Sequence, residues 1–346
     1  MRNAVVAVVL AGCATQGPGD TGAIGPMTNG VSTLAGSSRP GDVDGNRDTA
    51  RFADPVNTAR GPDGKTYVAD FDNSKIRVVD DAGNVSTLIA QNNFRRPFGI
   101  AFAPDGSLYV STDNDSLGGH TLMSGSIWKV DIAAKTATVI ANAIGRPRGF
   151  TPMADGRIAI TDDLHHVVEI LTPSTGNLMT IAGTWDQPGM VDASGPAARF
   201  STPYSVVVRK DGTLVVADFD NNRLRLVGLD GSVATLAGAG TAGFADGAGA
   251  AAELHHPQAL AIDHNDTIYI TDLGNYRIRR MKGDTVDTIA GDGTGGWLDA
   301  DNPLDAELYG LEGMSVNAEG TMLYVADGTR GEVVPHNYVR TVKVVP

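Results

Sequence analysis

The segment ARFADPVNTARGPDGKTYVADFDNSKIRVVD, residues 50–80, decides the fold. Its proline, Pro55, begins a short run that ends in a turn at the Asp-Gly pair 63–64. Glycine supplies the positive φ that a two-residue hairpin between antiparallel strands demands. The stretches YVAD, residues 67–70, and KIR, residues 75–77, have the length and composition of two further strands. The segment therefore predicts three short, consecutive antiparallel strands.

The same template recurs along the chain, together with its anchoring proline. A period of roughly 40–55 residues fits one four-stranded unit plus a connector of variable length. Each full copy ends in a fourth short strand, often Thr-Leu-Ala-Gly or Thr-Ile-Ala-Gly. The copies span residues 52–90, 94–141, 144–183, 200–238 and 254–291, with a sixth, partial copy at 308–345, and the prolines are Pro55, Pro97, Pro147, Pro203 and Pro257.

The sixth copy stops after its third strand, so its fourth strand is missing. The segment VSTLAG, residues 31–36, matches a fourth strand but has no first three strands before it. Pairing this N-terminal strand with the last copy closes a ring and removes an open sheet edge that would template aggregation. The sequence therefore predicts an all-β fold, a six-bladed β-propeller of four-stranded blades whose last blade is closed by the N-terminal strand. An open solenoid or two separate domains would leave residues 31–36 without a partner strand.

Residues 50–80, the Thr-Leu-Ala-Gly ending at residues 33–36 and the glycine-rich connectors resemble the NHL repeat. The resemblance covers nearly all of the chain after residue 30, so residues 31–346 are expected to form one propeller domain. It implies a fold and leaves the activity open, because NHL propellers serve as protein-binding and RNA-binding platforms and also as lyases and hydrolases.

The composition describes a globular, acidic chain with one cysteine. Its 346 residues are 42% hydrophobic, which supplies a large core and excludes wholesale disorder. The 43 glycines and only 6% aromatic residues favour many tight turns between short strands. The net charge of −13 disfavours the phosphate neutralisation that nucleic-acid binding needs, so we expect no nucleic-acid partner. The single cysteine, Cys13, excludes intrachain disulfides and metal sites made of several cysteines.

The N-terminal residues have the pattern of an export signal. A basic residue precedes an apolar run at residues 4–12, about half of the roughly 20 residues that a membrane-spanning helix needs. The Leu-Ala-Gly-Cys sequence at residues 10–13 resembles the lipobox of bacterial lipoproteins, in which the cysteine is acylated after cleavage. We therefore expect a signal peptide at residues 1–13 with a lipidated Cys13, and a flexible linker at 14–30. The resemblance implies a bacterial envelope protein, held at the outer membrane or cell surface by its lipid alone.

In a propeller the connectors between blades meet on one face, around the mouth of the central channel, and this face is the expected binding site. The residue after each anchoring proline should point toward the channel axis, and the residue before it should lie nearby. The residues after the prolines are Val56, Phe98, Arg148, Tyr204, Gln258 and, by alignment, Glu312, and those before are Asp54, Arg96, Arg146, Thr202, His256 and Gly310.

Arginines cluster on two neighbouring blades of this ring. Arg95 and Arg96 come just before the proline of blade two. Arg146 and Arg148 flank the proline of blade three. Guanidinium groups bind carboxylate and phosphate oxygens in pairs, so an anionic small molecule or an acidic loop of a protein partner could dock there. The alternative is that the arginines pair with acids of the same chain, such as Asp54, Asp113 or Glu312.

In three blades, an aspartate at the end of the second strand is followed seven residues later by an arginine. Because the pair recurs from blade to blade, we interpret it as a structural ion pair or turn cap rather than part of a metal ring. Blade three departs from the pattern, since Glu169 stands where the arginine is expected. The strand-ending acids are Asp70, Asp162, Asp218, Asp272 and Asp327, and the arginines are Arg77, Arg225 and Arg279.

Histidines and acids suggest two kinds of metal site. Peptidylglycine amidating lyase, a propeller of similar architecture, holds zinc with histidines near its axis, but only His256 is expected close to the channel here. The similar gluconolactonase family holds calcium with a glutamate, an asparagine and an aspartate, and the first two have no match in this sequence. Residues 42–48 offer oxygen ligands at alternate positions, yet Asp44 has equivalents in the sister connectors, which indicates a repeated loop. We therefore predict neither a metal nor an organic cofactor.

The leading hypothesis is a non-catalytic, monomeric binding scaffold that holds a protein partner or an anionic small ligand at the channel mouth. The alternative is a metal-dependent lyase or hydrolase at the same mouth, with Asp162, His256 and Tyr204 around a divalent ion. A third hypothesis, structural linkage within an envelope assembly, places the contacts on Phe244 and Trp297, unless these connector residues only pack over neighbouring blades. Under the leading hypothesis the ligand-binding residues are Arg96, Arg146, Arg148, Tyr204, His256, Gln258 and Glu312.

Overall fold

The computed structural model describes residues 27, 29–115, 117–332, 334 and 336–345 of the protein. Within these residues the chain forms six antiparallel sheets of four principal strands, arranged as the blades of a ring, which confirms the predicted β-propeller. Blade one contains β2 (Pro55–Arg60), β3 (Thr66–Asp70), β4 (Lys75–Val79) and β5 (Val85–Ile89). Blade two contains β6 (Pro97–Phe102), β7 (Leu108–Thr112), β8 (Ser126–Asp131) and β9 (Thr136–Asn142). Blade three contains β10 (Pro147–Pro152), β11 (Ile158–Asp162), β12 (Val167–Thr172) and β13 (Asn177–Ala182). Blade four contains β14 (Pro203–Val208), β15 (Leu214–Asp218), β16 (Arg223–Val227) and β17 (Val233–Ala237). Blade five contains β19 (Pro257–Ile262), β20 (Ile268–Asp272), β21 (Arg277–Lys282) and β22 (Thr285–Ala290), with the two-residue β18 (Gly247–Ala248) beside β22. Blade six contains β23 (Gly313–Val316), β24 (Met322–Asp327), β25 (Asn337–Lys343) and β1 (Val31–Ser37).

Short 3₁₀ helices lie in the connecting loops, and no helix of the described ranges is both long and apolar enough to cross a membrane. The predicted signal peptide at residues 1–13, with Cys13, lies outside the described residues, as does most of the predicted linker at 14–30. The 3₁₀ helices are Gly195–Ala197, Phe219–Asn221, Gly249–Ala251, Leu273–Asn275 and Pro303–Asp305.

The ring is closed by the first strand, as predicted. β1 pairs antiparallel with β25, from Val31 opposite Val342 to Ser37 opposite Asn337. Leu34 of this strand is only 2% exposed, because it packs between the last blade and the first. The chain ends therefore share one sheet, and blade six presents a paired strand where it would otherwise present an open edge.

The hairpins between the first two strands differ from the prediction in length. In blade one the Gly61 N–H donates to the Lys65 carbonyl, so the loop holds three residues rather than two. Gly64 closes it with a φ of 73°, the left-handed conformation that follows a type I turn in three-residue hairpins. The Asp-Gly pair was correctly identified as a turn signal, because both loop lengths need a glycine at positive φ.

Each inner strand of blades one to five begins at its anchoring proline, and the pairing register shifts directly after that proline. Proline has no N–H to donate to a neighbouring strand, which interrupts the ladder at this point. In blade three, for example, Pro147 pairs with Asp162 and Gly149 with Thr161, so that Arg148 is left out of the pairing. The residue after the proline is thereby free to turn toward the channel.

A buried ion-pair network joins each of four blades to its preceding connector. In blade four Arg225 and Asp218 are fully buried, with 2.6 Å between Nη1 and Oδ2. The Arg225 Nη2 also donates to Asp192 of the connector at 2.6 Å, and the second Asp218 oxygen accepts the Ser201 backbone N–H at 2.7 Å. This confirms that the repeated aspartates are structural. The same contacts are made by Asp70, Arg77 and Asp44 in blade one, Asp272, Arg279 and Asp246 in blade five, and Asp327, Arg340 and Asp299 in blade six.

Candidate functional site

A cavity of about 250 Å³ runs along the propeller axis and is lined by the first strands of all six blades. Five of the six residues predicted to face the axis line it, while Val56 instead lies buried in the core between blades one and two. Four of these five residues are polar and come from consecutive blades, three to six. We call these four, Arg148, Tyr204, Gln258 and Glu312, the polar half-ring.

Arg148 is the charged centre of the polar half-ring. Its side chain is 8% exposed, and the guanidinium carbon lies 3.9 Å from the centre of the Phe98 ring. Nη2 lies 3.2 Å from Oδ2 of Asp113, and Nε lies 3.8 Å from Oδ2 of Asp163. Nε and Nη1 have no hydrogen-bond partner within the described part of the chain. Arg148 is thus paired by charge while two of its donor nitrogens remain unused.

Arg146 shares the same two carboxylates. Its Nη2 lies 3.7 Å from Asp113 and its Nε 4.0 Å from Asp163. Arg146 and Arg148 of the arginine cluster therefore pair with acids of the same chain, and the expected partner Asp113 is confirmed. Arg95 instead donates to the Asn92 carbonyl, and Arg96 lies over the Phe71 ring. Neither Asp54 nor Glu312, the other expected partners, forms an ion pair with an arginine in the described ranges.

The acids that hold the arginines follow the second strands of blades two and three. Asp113 comes directly after β7, and Asp163 directly after β11. Asp163 was not among the predicted site residues, although the sequence holds a signal for it, because the equivalent residues of three other blades are apolar. Burial raises the pKa of Asp163 to about 6, against the opposing effect of Arg148 and Arg146. The apolar equivalents are Phe71, Phe219 and Leu273.

Glu312 lies opposite this charge cluster, at the junction of blades six and one. It is 7% exposed, and one of its oxygens accepts the backbone N–H of Arg330 at 2.9 Å. Burial, helped by the negative charge of Asp54, raises the pKa of Glu312 well above its usual range. Burial also raises the pKa of Tyr204. A raised pKa favours the protonated form of each group, in which its O–H is able to donate a hydrogen bond toward the cavity.

An arc of aromatic rings surrounds the mouth. Phe71 meets Phe98 edge-on with 6.1 Å between ring centres, and Phe98 meets Tyr204 at 5.8 Å. The arc continues through Phe219, on which the imidazole of His256 stacks at 4.4 Å. These rings give the site an apolar wall beside its polar half-ring.

The predicted site residues therefore fall into two groups. Arg148, Tyr204, Gln258 and Glu312 meet at the cavity. The other three, Arg96, Arg146 and His256, lie outside the cavity lining. Arg96 sits over Phe71, and His256 reaches Asp220 at 3.8 Å.

The residues proposed for a metal-dependent enzyme are not brought together. The carboxylate of Asp162 is occupied by the Arg146 backbone N–H at 3.0 Å and by Nδ1 of His165 at 2.7 Å. His256 stacks on the rim, and Tyr204 lines the cavity. The described residues contain no group of three or more histidines, cysteines or acids placed to hold a metal ion.

The long connectors place their large side chains against the blade that follows each connector in the chain. Phe244 lies under Arg277, 4.0 Å from its guanidinium carbon, and Trp297 meets His336 edge-on at 4.7 Å. Phe244 remains 45% exposed. Packing is thus the observed role of both residues.

Comparison with known proteins gives relatives for part of the chain. No family model matches it. The chloroplastic protein SUPPRESSOR OF QUENCHING 1 of Arabidopsis thaliana is 30% identical over 183 residues, 53% of this chain and 14% of that protein. NHL repeat-containing protein 2 of Bos taurus is 27% identical over 186 residues, 49% of this chain and 26% of that protein. The chain thus matches only a minor part, 14% and 26%, of these relatives' lengths.

Solved structures share the fold at low sequence identity. A protein of unknown function from Bacteroides thetaiotaomicron has a TM-score of 0.72 at 17% identity, over 91% of this chain and 75% of that one. An auxiliary nutrient binding protein of the same organism has a TM-score of 0.70 at 17% identity, over 90% and 75%. Virginiamycin B lyase from Staphylococcus aureus has a TM-score of 0.53 at 13% identity, over 86% and 83%. The repeated sequence, the NHL-repeat relatives and the six closed blades together identify the chain as an NHL-repeat β-propeller.

Proposed function

We propose that the protein is an exported, lipid-anchored and non-catalytic scaffold that binds an anionic ligand at the polar half-ring. The observation that carries this proposal is Arg148, a buried guanidinium on the cavity wall, two of whose donor nitrogens find no acceptor among the described residues. A buried donor without an acceptor costs about 1–3 kcal/mol, so a ligand oxygen that reaches it recovers that free energy. The oxygen could come from a small free acid or from an acidic side chain of a partner protein.

The rest of the polar half-ring suits the same ligand. Tyr204 supplies an O–H donor and Gln258 an amide, and the raised pKa of Glu312 favours the form in which its carboxyl can also donate. Arg148 and Arg146 together balance the charge of Asp113 and Asp163, so attraction at long range is weak and affinity depends on directed hydrogen bonds in a largely buried site. Binding rather than catalysis is also the role named for the similar nutrient binding propeller.

Substitution of Arg148 tests this proposal. With acetate, benzoate, phosphate and sulfate as probes, calorimetry should show binding to the unaltered protein and its loss in Arg148→Ala. Arg148→Lys keeps the charge but loses the planar guanidinium with its paired N–H donors, and we expect this variant to bind the anions at least tenfold more weakly. Arg157→Ala is the matched control. Arg157 is a part-exposed arginine of the same blade, and it pairs with Asp155 in the hairpin between β10 and β11, away from the cavity lining.

The two sources of the acidic group are separated by a second set of probes. An acidic peptide that binds while all free anions fail would indicate a protein partner. Free anions that bind alone would indicate a small ligand. Equal binding to unaltered protein and Arg148→Ala, or no binding of any probe, would contradict the proposal.

The lipid anchor is proposed from the sequence at residues 10–13, which resembles a lipobox. Expression in a bacterial host should place the protein in the membrane fraction with labelled palmitate attached. Cys13→Ser should release it unlabelled, because two or more acyl chains are needed for stable attachment. Membrane association of Cys13→Ser equal to that of the unaltered protein would contradict the anchor.

A further inference from the structure

We propose that the polar half-ring selects a singly charged carboxylate over phosphate or sulfate, with the Glu312 carboxyl donating a hydrogen bond to the ligand from the side opposite Arg148. The inference rests on the proposed anion-binding function and specifies its ligand class. It follows from how the charged groups are distributed around the cavity.

Two carboxyl groups share the corner at blades six and one. A side-chain carbon added at Gly328 would lie 2.8 Å from Oδ1 of Asp54 and 3.3 Å from Oε1 of Glu312, so the two oxygens are separated by no more than the sum of these distances. A negative charge on Asp54 therefore disfavours ionisation of Glu312 and raises its pKa.

The hydrogen bonds decide which carboxyl is charged. Oδ1 of Asp54 accepts both the backbone N–H and the hydroxyl of Thr329, at 2.7 and 2.8 Å. Glu312 accepts only the Arg330 N–H. Hydrogen bonds to a carboxylate favour its charged form, and Glu312, with this single N–H donor, has little to oppose the rise in its pKa that burial and Asp54 cause.

Glu312 is faced by a small set of charged or titratable groups. Asp54 and Arg330 lie beside it, and Arg148 and Tyr204 act on it from blades three and four. Arg148 is in turn faced by Asp113, Asp163 and Arg146. The three arginines and three aspartates balance one another as long as Glu312 is neutral.

A carboxylate fits this balance. It brings one negative charge and two coplanar oxygens, which can accept from the guanidinium on one side and from Glu312 on the other. The second charge of sulfate, or of phosphate at alkaline pH, would face three aspartates in a largely buried site. Ionisation of Glu312 would add the same repulsion, so carboxylate affinity should fall as that proton is lost.

The experiment measures the affinity of benzoate and of sulfate by calorimetry at pH 7 and pH 9. This range lies above the pKa of Asp163, which is about 6, and above that of the probes, so neither titrates. We expect benzoate to bind the unaltered protein at least tenfold more tightly than sulfate. Its affinity should fall with rising pH as Glu312 ionises.

Glu312→Gln supplies the decisive variant, because an amide keeps a donor and removes the titration. Its benzoate affinity should match that of the unaltered protein at pH 7 and stay constant to pH 9. Glu169→Gln is the matched control, since Glu169 is also a buried glutamate with a raised pKa but lies outside the cavity lining, so that variant should retain the pH dependence.

The outcomes separate the inference from the function on which it rests. Sulfate binding as tight as benzoate binding, or a pH dependence that persists in Glu312→Gln, would overturn the carboxylate selection and leave anion binding in place. If Glu312→Gln does not fold, the preference of the unaltered protein for benzoate over sulfate still decides. Failure of both probes to bind would overturn the proposed function itself.

Discussion

Blades one, four, five and six differ from blades two and three in how each blade is held together. In the first group a buried aspartate and arginine join the strands to the preceding connector. In blade two Thr112 and Trp128 take these places, with a hydrogen bond of 2.8 Å from the indole N–H to the hydroxyl. In blade three Glu169 faces its cross-strand neighbours without an arginine, and within the part of the chain that the structure describes its Oε2 has no hydrogen-bond partner.

This difference separates the contacts that build the ring from those that form the candidate site. Contacts that recur in four blades build the ring, because each blade must hold its own connector. The two blades without the network are the ones that place an acid, Asp113 or Asp163, at the mouth and hold Arg148 between them. Departure from the repeat is therefore a better guide to the candidate site than any single motif.

Breaking the network where it is intact should have the largest effect. Arg225→Met leaves Asp218 buried without its cation, and loss of one partner of a buried ion pair costs about 3–5 kcal/mol. Denaturation in urea should show this decrease in the free energy of unfolding. The control Arg157→Ala removes a part-exposed pair with Asp155 and should cost less than about 1 kcal/mol. Equal effects of the two variants would contradict the structural role of the network.

Replacing Glu169, the blade-three residue that stands where other blades have a buried arginine, should stabilise the protein at neutral and alkaline pH. Burial raises the pKa of Glu169 to about 7, above its unfolded value of 4.5. The folded state therefore binds an extra proton between these values, and stability decreases as pH rises through this window. Glu169→Gln removes the penalty, so it should gain roughly 1–3 kcal/mol over the unaltered protein at pH 8.

The pH dependence of that gain is the check. Melting temperatures of the two proteins should nearly coincide at pH 4.5 and diverge up to about pH 8. A difference that is constant across this range would indicate a packing effect without titration.

Removing the hydrogen bond between Trp128 and Thr112, which replaces the ion pair in blade two, should have a smaller effect. Trp128→Phe keeps an aromatic ring in the core but loses the hydrogen bond to Thr112, and we expect a loss of roughly 1–2 kcal/mol. Thr112→Val removes the same bond from the other side. A double-mutant cycle in urea should give a coupling energy between the two residues, and strict additivity would show that the bond contributes nothing.

Metal removal should have the smallest effect. Because Asp162, His256 and Tyr204 are held by separate contacts, a chelator should leave the melting temperature unchanged. Elemental analysis of the purified protein provides the measurement. Stoichiometric zinc or calcium whose removal lowers the melting temperature would favour a metal-dependent lyase or hydrolase instead.

Much of the fold could be predicted because its signals are local and repeated. The anchoring prolines, the Asp-Gly turns and the unpaired strand at residues 31–36 were sufficient for six blades and their closure. The site was predicted only in part. Alignment placed Arg148 and Glu312 on the axis, but Asp163 was missed, because its importance lies in being the exception at a repeat position that is apolar elsewhere.

The sequence by itself determined the strand pattern, the number of blades and, in blades two to six, which residue faces the channel. Proline, glycine and alternating apolar residues act over a few neighbours in the chain, so their effects can be read locally. Only the tertiary structure decided that Arg148 shares Asp113 of the preceding blade, and that Glu312 shares a corner with Asp54 across the closing junction. Those contacts join residues from different blades, and their distances are set when the ring closes and brings the blades side by side.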